Sequence, residues 1–529
     1  MIPKRETMKI THAATHPKDD NSANIEFHKI VPDAVRPPRS DSPLIFPLAP
    51  SSGTQNKHFS PLYRQLLASC GPVLASIGAG MVFGYSATLL PALKKTDSEI
   101  SVNGDTGSWI ASLCLLPMAI GCLLGGFSVE KFGRKIAHLL LCIPLLLGWI
   151  FIYFASNLEM LIFGRILGGL SVGLMGPACS VYLSEMSDPK YRGLFLGTPS
   201  MALSIGILFI HIIGTFFTWR MTALIACSCP VLCFLLMSIV PESPSWLLSK
   251  GKFDKAAKAF KWLRGGSFES EQEFRVMVDK QKQLQASEGE LLPFWVQLRL
   301  NISKPEFYKP FSIIFLCFFI MQLSGPNTLA FYSVTVMKDT LGSGINEYFA
   351  MIIIDLLRAV MSVVACILLK ISKRRFLAIF SGTGTVLSLF SLSGYLMIAK
   401  MYPEVKEFAW LSLLFLILYI IFISIGIFPL PWCVNGELLP LAMRGFGSSI
   451  NSSFNFIWCF VVIKTAPEMF TTIGMEGTFF FYGIVCLVGT ILIFFFLPET
   501  KNKTLHEIEA NFQSSSNQNE TSPSITLRT

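Results

Sequence analysis

Long apolar runs alternate with short polar turns from about residue 66 to residue 497. A helix that crosses the hydrocarbon core of a bilayer, about 30 Å thick, needs about 20 apolar residues. Six such runs precede residue 242 and six follow residue 308. We therefore predict an all-α membrane protein with 12 transmembrane helices in two six-helix halves. These helices, spans 1 to 12, lie near 66–92, 107–128, 137–156, 159–183, 195–217, 220–241, 309–337, 346–370, 376–399, 409–435, 446–469 and 477–497.

The composition supports a membrane protein. Of the 529 residues, 52% are hydrophobic and only 15% are charged, whereas about 25% are charged in soluble domains. So few charges leave too little polar surface for a soluble protein of this length. The net charge of +9 comes largely from short loops between spans, so we expect the lipid bilayer, and no nucleic acid, as the partner.

Lysine and arginine concentrate in the loops after spans 2, 4, 6, 8 and 10, although Lys94, Lys95 and Arg220 break the pattern. Positive loops stay cytosolic, so both termini are predicted to be cytosolic. A helical pattern over Asp254–Arg264 predicts helices in the cytosolic segment. The predicted organisation is a disordered N-terminal tail 1–62, an N-terminal half 63–241, linker helices 242–308, a C-terminal half 309–498 and a C-terminal tail 499–529.

The two halves repeat one another. In Ser184–Gly193 and in Gly436–Gly445, a Glu is followed seven residues later by Arg and Gly, and Glu185 and Glu437 lie 252 residues apart. Two further pairs of stretches match in the same order, namely 130–135 with 370–375 and 241–247 with 498–505. Two six-span units in one orientation predict a cavity between the halves near the membrane midplane.

The thirteen cysteines lie scattered within apolar runs. Even Cys227, Cys229 and Cys233 have no histidine beside them, so we interpret the cysteines as small buried side chains. No disulfide framework, zinc pattern, phosphate-binding loop or nucleophile–base arrangement emerges. We therefore predict no metal, no cofactor and no enzymatic activity.

The loop motif Gly125–Lys135 resembles the signature between helices 2 and 3 of the major facilitator superfamily. Further motifs resemble its sugar-porter family, and over about residues 62–510 the chain is most similar to insect facilitated trehalose transporters. The resemblance implies a small-molecule sugar as substrate and transport by alternating access. These further motifs are Gly164-Arg165 with Gly168-Gly169, Tyr182–Gly193, Pro241–Pro244, Gln322–Asn327, Pro429-x-Pro-Trp432 and Pro498–Thr500.

The resemblance implies a sugar site at Gln322, Asn327, Trp432 and Asn455, and the family positions usually held by Gln and Asn fall here on Met321 and Arg358. Amides both donate to and accept from sugar hydroxyls, and an aromatic face packs on the C–H surface of the ring. Gln322 and Asn327 are five residues apart, so a helix break near Gly325-Pro326 would bring them together. Alternatively the amides only join helices, and Trp432 only packs.

Arg358 departs most from the family, because an arginine inside a span is costly and marks a functional candidate. Asp355 precedes it by three residues on the same helical face, so the two side chains could neutralise each other. Alternatively, Arg358 faces the cavity and favours a substrate with an anionic or strongly accepting group. His211 in span 5 is interpreted as a core histidine.

The resemblance also implies gates. Charged residues at the cytosolic ends of the spans would latch that side when the outside is open, although the positive-inside rule alone explains some of them. Lys370 and Lys373 replace an acid and a glycine of the family, and Ser245 replaces an arginine, so we expect an asymmetric latch. Tyr332 is the predicted extracellular gate. The cytosolic gate is predicted to use Glu130, Arg134, Lys135, Arg165, Glu185, Arg192, Arg374, Arg375, Glu437, Arg444 and Glu499.

The mode of transport is predicted from span 1. Proton symporters of the family carry an Asp directly after a Gly-Tyr pair, but here Gly84-Tyr85 precedes Ser86. A serine does not exchange a proton near neutral pH. We therefore predict a facilitative uniporter of the plasma membrane for trehalose or a hexose, for which a monomer suffices. A transporter of another polar solute and a non-transporting sugar sensor remain the alternatives.

Overall fold

A computed structural model describes residues 60–95, 100, 102–287, 296, 299–300, 302–341, 346–440, 443–501 and 512. The predicted tails, 1–62 and 499–529, lie almost entirely outside the described residues. We call the side of the molecule that the lysine and arginine pattern predicts to be cytosolic the inner side, and the opposite side the outer side.

Twelve helices within the described residues are long and apolar enough to cross a membrane, which confirms the predicted fold class. Their bounds lie within a few residues of the prediction, and the described residues contain no strand. Spans 1 to 12 begin with the helices Pro61–Leu93, Gly104–Phe132, Arg134–Tyr153, Leu158–Met186, Arg192–Phe216, Trp219–Ile239, Pro305–Leu323, Glu347–Ile371, Arg374–Met401, Ala409–Glu437, Arg444–Thr472 and Gly474–Phe496.

Asparagine side chains start three spans at the outer side. The Oδ1 atom of Asn103 accepts the N–H of Thr106 at 2.8 Å at the start of span 2. Asn157 does the same at 2.9 Å for span 4, and Asn346 at 3.0 and 3.1 Å for span 8. Each amide satisfies a backbone donor that has no partner inside the helix.

Glycines allow spans 1 and 5 to pack backbone against backbone. A Cβ atom added to Gly80 would lie 2.1 Å from the carbonyl oxygen of Leu203 and 2.9 Å from the Cα atom of Gly206. No side chain fits there. Small residues at such contacts let membrane helices approach closely and gain van der Waals packing.

Span 7 is interrupted. Its first helix ends at Leu323, Gly325 adopts the left-handed conformation with φ +85°, and a new helix starts at Pro326. Proline has no N–H and clashes with the preceding turn, so it starts a helix but does not continue one. The described parts of span 7 are Pro305–Leu323, Pro326–Phe331 and Ser333–Leu341.

Three helices follow span 6 on the inner side, at Pro244–Ser249, Phe253–Arg264 and Phe268–Ser287. The second confirms the helix that was predicted at Asp254–Arg264. Its Arg264 donates to the carbonyl oxygen of Ser187 at 2.7 Å and pairs with Asp188 at 2.6 Å. These contacts fix the second helix against the loop after span 4.

The two halves meet on the outer side. Lys464 of span 11 pairs with Asp105 of span 2 at 2.5 Å between Nζ and Oδ1. The rings of Phe83 in span 1 and Phe331 in span 7 touch edge to face, with centroids 5.5 Å apart. On the inner side, each ion pair among the described residues joins groups of one half or its linker. The molecule is therefore closed on the outer side.

Candidate substrate site and gates

Three amide side chains form a hydrogen-bonded cluster at the break of span 7. Gln322 Nε2 donates to Asn455 Oδ1 at 2.7 Å, and Asn327 Nδ2 donates to Gln322 Oε1 at 2.7 Å. All three side chains are buried. Gln322 and Asn327 meet because the chain turns at Gly325 and restarts at Pro326, as the sequence predicted.

Asn327 lies at the wall of a cavity between the halves. The cavity has a volume of about 510 Å³, part of which is open to solvent, and ligand sites typically span about 300–1,000 Å³. Span 5 of the N-terminal half faces spans 7, 8 and 10 across it. Its polar lining residues are Ser200, Ser204, Asn327, Arg358, Ser362 and Ser424.

The other predicted binding residues lie elsewhere. Gln322 and Asn455 are hydrogen-bonded behind Asn327 and do not line this cavity. Met321 is 1% exposed within the apolar core. Trp432 is 43% exposed and touches Phe318 edge to face at 5.0 Å, so its observed contact is the packing alternative.

Arg358 combines both arrangements that the sequence left open. Its Nη1 atom lies 3.7 Å from Asp355 Oδ1, and the arginine also lines the cavity. Asp355 has a second partner that the sequence did not reveal, because its Oδ2 atom lies 2.5 Å from Nδ1 of His211. His211 is therefore a buried histidine with an acidic partner.

The inner end of the N-terminal half carries a cluster of ion pairs and helix caps. Arg134 donates from Nε and Nη2 to the two carboxylate oxygens of Glu185 at 2.9 and 2.7 Å. Glu242 accepts the N–H groups of Arg134 and Lys135 at 2.9 and 3.0 Å. Ser243 donates to Glu185. A carboxylate at the start of span 3 also interacts favourably with the helix dipole.

The C-terminal half repeats this cluster. Arg374 donates to Glu437 at 3.1 Å, and Thr500 donates to the other oxygen of Glu437 at 2.6 Å. Glu499 accepts the N–H groups of Arg374 and Arg375 at 3.0 and 3.2 Å. Partial burial raises the pKa of Glu499, but these backbone hydrogen bonds outweigh burial and leave its pKa lowered.

These contacts correct the pairs suggested by the repeated stretches. Glu185 contacts Arg134, while Arg192 is exposed. Glu185 ends span 4 and Arg192 starts span 5, so a chain turn separates them. In the second copy Glu437 contacts Arg374, and Arg444 donates to the carbonyl oxygen of Leu439 at 3.1 Å.

Glu130 also lies apart from the arginine predicted beside it. Its side chain is exposed, and its backbone carbonyl accepts a hydrogen bond from the indole N–H of Trp246 at 3.0 Å. Arg134 instead turns toward span 4 and pairs with Glu185. The sequence analysis missed Glu242, Ser243 and Thr500 as members of the clusters, although the repeated Pro-Glu-Ser and Pro-Glu-Thr motifs were the signal.

Arg165 does not belong to the cytosolic gate, contrary to the prediction. It stands seven residues into span 4 from the outer end, and Glu185 lies 20 residues further along, a distance of about 30 Å on a helix. Its guanidinium donates to Ser86 Oγ at 2.7 Å and to the carbonyl of Val82 at 2.8 Å. It therefore joins spans 1 and 4 inside the N-terminal half.

Tyr332 lies near the outer contact between the halves. Its hydroxyl donates to the carbonyl of Ile463 at 2.9 Å, within the C-terminal half. The ring that contacts the other half is that of its neighbour Phe331. The Lys464–Asp105 pair was missed, because the sequence analysis did not consider charges at the outer span ends as partners.

Twelve spans in two repeated halves around a cavity define a transporter of the major facilitator fold. The chain is similar to the proton:xylose symporter XylE bound to 6-bromo-6-deoxy-D-glucose, with a TM-score of 0.69, 20% identity, and coverage of 85% of this chain and 100% of that one. The family model described as "Sugar (and other) transporter" matches residues 72–512. The chain belongs to this family of transporters.

Relatives from insects match most of the chain. It is 32% identical to the facilitated trehalose transporter Tret1-2 homolog of Drosophila sechellia over 463 residues, covering 87% of this chain and 92% of that protein. It is 30% identical to the facilitated trehalose transporter Tret1 of Aedes aegypti over 449 residues, covering 85% of this chain. The match spans about half, 55%, of that longer relative.

Proposed function

We propose that this chain is a facilitative sugar transporter of the plasma membrane that works by alternating access, with both termini cytosolic. Trehalose or a hexose is the proposed substrate, and a monomer suffices for transport. The observation that carries the proposal is the amide cluster of Gln322, Asn327 and Asn455 beside the cavity between the halves. The insect relatives named as trehalose transporters support the choice of sugar.

The cluster suits a sugar because an amide both donates and accepts, as a hydroxyl does. Asn327 contacts the cavity, and Gln322 and Asn455 hold its amide in one orientation. A preorganised group loses less conformational freedom when it binds a ligand.

Gln322→Leu tests the cluster. The substitution keeps the size of the side chain but removes two hydrogen bonds, each with a net value of about 1 kcal/mol. Uptake of labelled trehalose and glucose by oocytes is expected to fall at least about tenfold, since about 1.4 kcal/mol corresponds to a factor of ten. Unchanged uptake at equal surface expression would contradict the proposed site.

Asn451→Ala is the matched control. Asn451 is a buried amide one turn before Asn455 on span 11, and neither of its side-chain polar atoms has a hydrogen-bond partner among the described residues. Its removal leaves the cluster intact, so uptake is expected to stay within about twofold of the wild type.

Downhill transport is proposed from Ser86. Its hydroxyl accepts a hydrogen bond from Arg165 and has no proton to exchange near neutral pH. Uptake should therefore equilibrate without accumulation, and a protonophore should leave it unchanged. Accumulation that collapses with the protonophore would overturn the uniport mode, and the solved relative XylE is itself described as a proton symporter.

Arg358 supports a second candidate, a transporter of another polar organic solute. A guanidinium at the cavity wall only donates and favours a ligand with an anionic or strongly accepting group. Labelled glucuronate and glucose distinguish the two candidates in the same oocytes. Glucuronate uptake that exceeds glucose uptake and is lost in Arg358→Gln would favour the second candidate, and no uptake of any solute at normal surface expression would favour a sensor.

A further inference from the structure

One buried histidine connects the two halves. His211 of span 5 places Nδ1 2.5 Å from Oδ2 of Asp355 in span 8, and the two side chains are 0% and 1% exposed. Its Nε2 atom lies 2.9 Å from the carbonyl oxygen of Gly84 in span 1. A single imidazole therefore connects spans 1 and 5 of the N-terminal half with span 8 of the C-terminal half.

The geometry fixes the number of protons on this pair. A carbonyl oxygen only accepts, so Nε2 carries a hydrogen. A second hydrogen must lie between Nδ1 and the Asp355 oxygen, because two lone pairs would otherwise face each other. The pair is then either imidazolium with carboxylate or imidazole with carboxylic acid. Both forms hold one proton more than a neutral imidazole beside a carboxylate.

Arg358 responds to that proton. Its guanidinium lies 3.7 Å from Asp355. With the proton bound, the histidine and the aspartate together carry no net charge, and Arg358 leaves the group at +1. With the proton lost, the pair carries −1 and balances Arg358.

The ionisable groups on the other packed elements have partners of their own or lie exposed. Arg358 is accordingly the only charged group found in contact with the pair among the described residues. The others, with their partners, are Tyr85 with Trp219, Arg165 with Ser86, Arg220 with Ala155, Tyr419 with Ser324, Tyr395 with Val405, Lys400 with Glu476, Arg374 with Glu437, Arg375 with Glu499, and the exposed Lys338 and Asp339.

We propose that the His211–Asp355 pair is a proton-binding site whose occupancy favours the conformation closed on the outer side. The contact joins the halves, and its two hydrogen bonds are complete only with the extra proton. Separating the halves with the proton in place would leave buried charges or polar groups without partners, which costs several kcal/mol. The joined conformation binds more protons, so acid favours it.

The inference rests on alternating access but not on the identity of the sugar. Linkage to one proton changes the ratio of closed to open molecules by at most about tenfold per pH unit. The test uses the full chain in lipid nanodiscs without sugar, so its result is independent of the uptake measurements.

Spin labels on Ser156→Cys and Thr471→Cys report the separation of the halves. Both positions are exposed at the outer side, one in each half, and Cys70, the one exposed cysteine among the thirteen, is replaced by serine. Pulsed electron paramagnetic resonance measures the distance distribution between pH 5.5 and pH 8. The short-distance fraction should rise as the pH falls, and Asp355→Asn and His211→Gln should abolish this dependence.

Two control variants isolate the pair. His138→Gln removes another buried histidine, whose Nδ1 atom lies 2.8 Å from the carbonyl of Arg134 without an acidic partner, and it should keep the pH dependence. Asp105→Asn should lower the closed fraction at every pH and leave the slope unchanged. A wild-type distribution that does not change with pH would overturn the proposal. So would an Asp355→Asn protein that retains the dependence, and this isosteric variant remains informative if His211→Gln fails to fold.

Discussion

Two glutamates after the last span of each half show how one residue type repeats for one physical reason. Glu242 accepts the first N–H groups of span 3, and Glu499 accepts those of span 9. The first N–H groups of a helix have no partner within it, and a carboxylate there also meets the positive end of the helix dipole. The repeated Pro-Glu motif is therefore explained by capping of the span in front of it.

Glu499→Gln is expected to weaken acid sensitivity as well as stability. A carboxyl whose pKa is lowered in the folded protein contributes stability above its unfolded pKa, and this contribution is lost as the pH falls through the folded pKa. Loss of the charged cap costs about 1 kcal/mol, a decrease of about 2 °C in Tm for a chain of this size.

The measurement is the Tm of the detergent-solubilised protein between pH 3 and pH 7. The difference between wild type and Glu499→Gln should be largest at pH 7 and should shrink toward pH 3. Glu404→Gln, at an exposed glutamate, serves as the control and should change Tm little at any pH. A Glu499→Gln difference that grows toward pH 3 would refute the argument.

Residues near one another in sequence were predicted well. Gln322 and Asn327 were expected to meet because Gly-Pro between them permits a turn, and they do. Arg134 and Glu185 come from different spans, and their contact was not predicted. Arg165 was assigned to the wrong end of span 4, although its position in the span indicates the outer half. Position along a helix gives depth in the membrane but not the neighbouring helix.

At the scale of elements, the break in span 7 determines the candidate site. A straight helix would hold Gln322 and Asn327 on faces that point only partly the same way. The left-handed Gly325 lets the second helix start afresh at Pro326. Discontinuous helices are a recurrent way of building substrate sites at the midplane of transporters.

Gly325→Ala is expected to destabilise this element. A Cβ atom would lie 2.5 Å from the ring of Tyr482, and the left-handed conformation costs a residue other than glycine about 1–2 kcal/mol. The Tm should fall by several degrees, and sugar uptake should fall with it. The matched control is Gly394→Ala in span 9, where nothing lies within 4 Å of the added atom. Equal Tm values for the two variants would contradict a strained break.

At the scale of the whole molecule, the outer contact between the halves depends on few groups. Lys464 pairs with Asp105 and also donates to Ser108 at 2.7 Å. The aspartate is largely exposed, and exposed ion pairs contribute about 0–1 kcal/mol. Such a weak contact suits a surface that opens and closes in each transport cycle.

Lys464→Gln should therefore shift the conformational equilibrium modestly. Loss of up to about 1 kcal/mol corresponds to a fall of up to about fivefold in the ratio of closed to open molecules. Pulsed electron paramagnetic resonance between labels at Ser156 and Thr471 measures that ratio. Adding 0.5 M salt should reduce the difference between wild type and Lys464→Gln, because salt screens exposed charges. A salt-independent difference would argue against an electrostatic contribution.

The sequence by itself determined the twelve spans, their bounds within a few residues and the repetition of the halves. The thickness of the bilayer fixes the length of an apolar helix, and each span satisfies its own backbone hydrogen bonds. The tertiary structure alone decided which distant side chains meet. His211 and Asp355 lie 144 residues apart, and Asp105 and Lys464 lie 359 apart. Such contacts depend on how the helices are rotated and packed around the cavity, and no spacing along the chain encodes that packing.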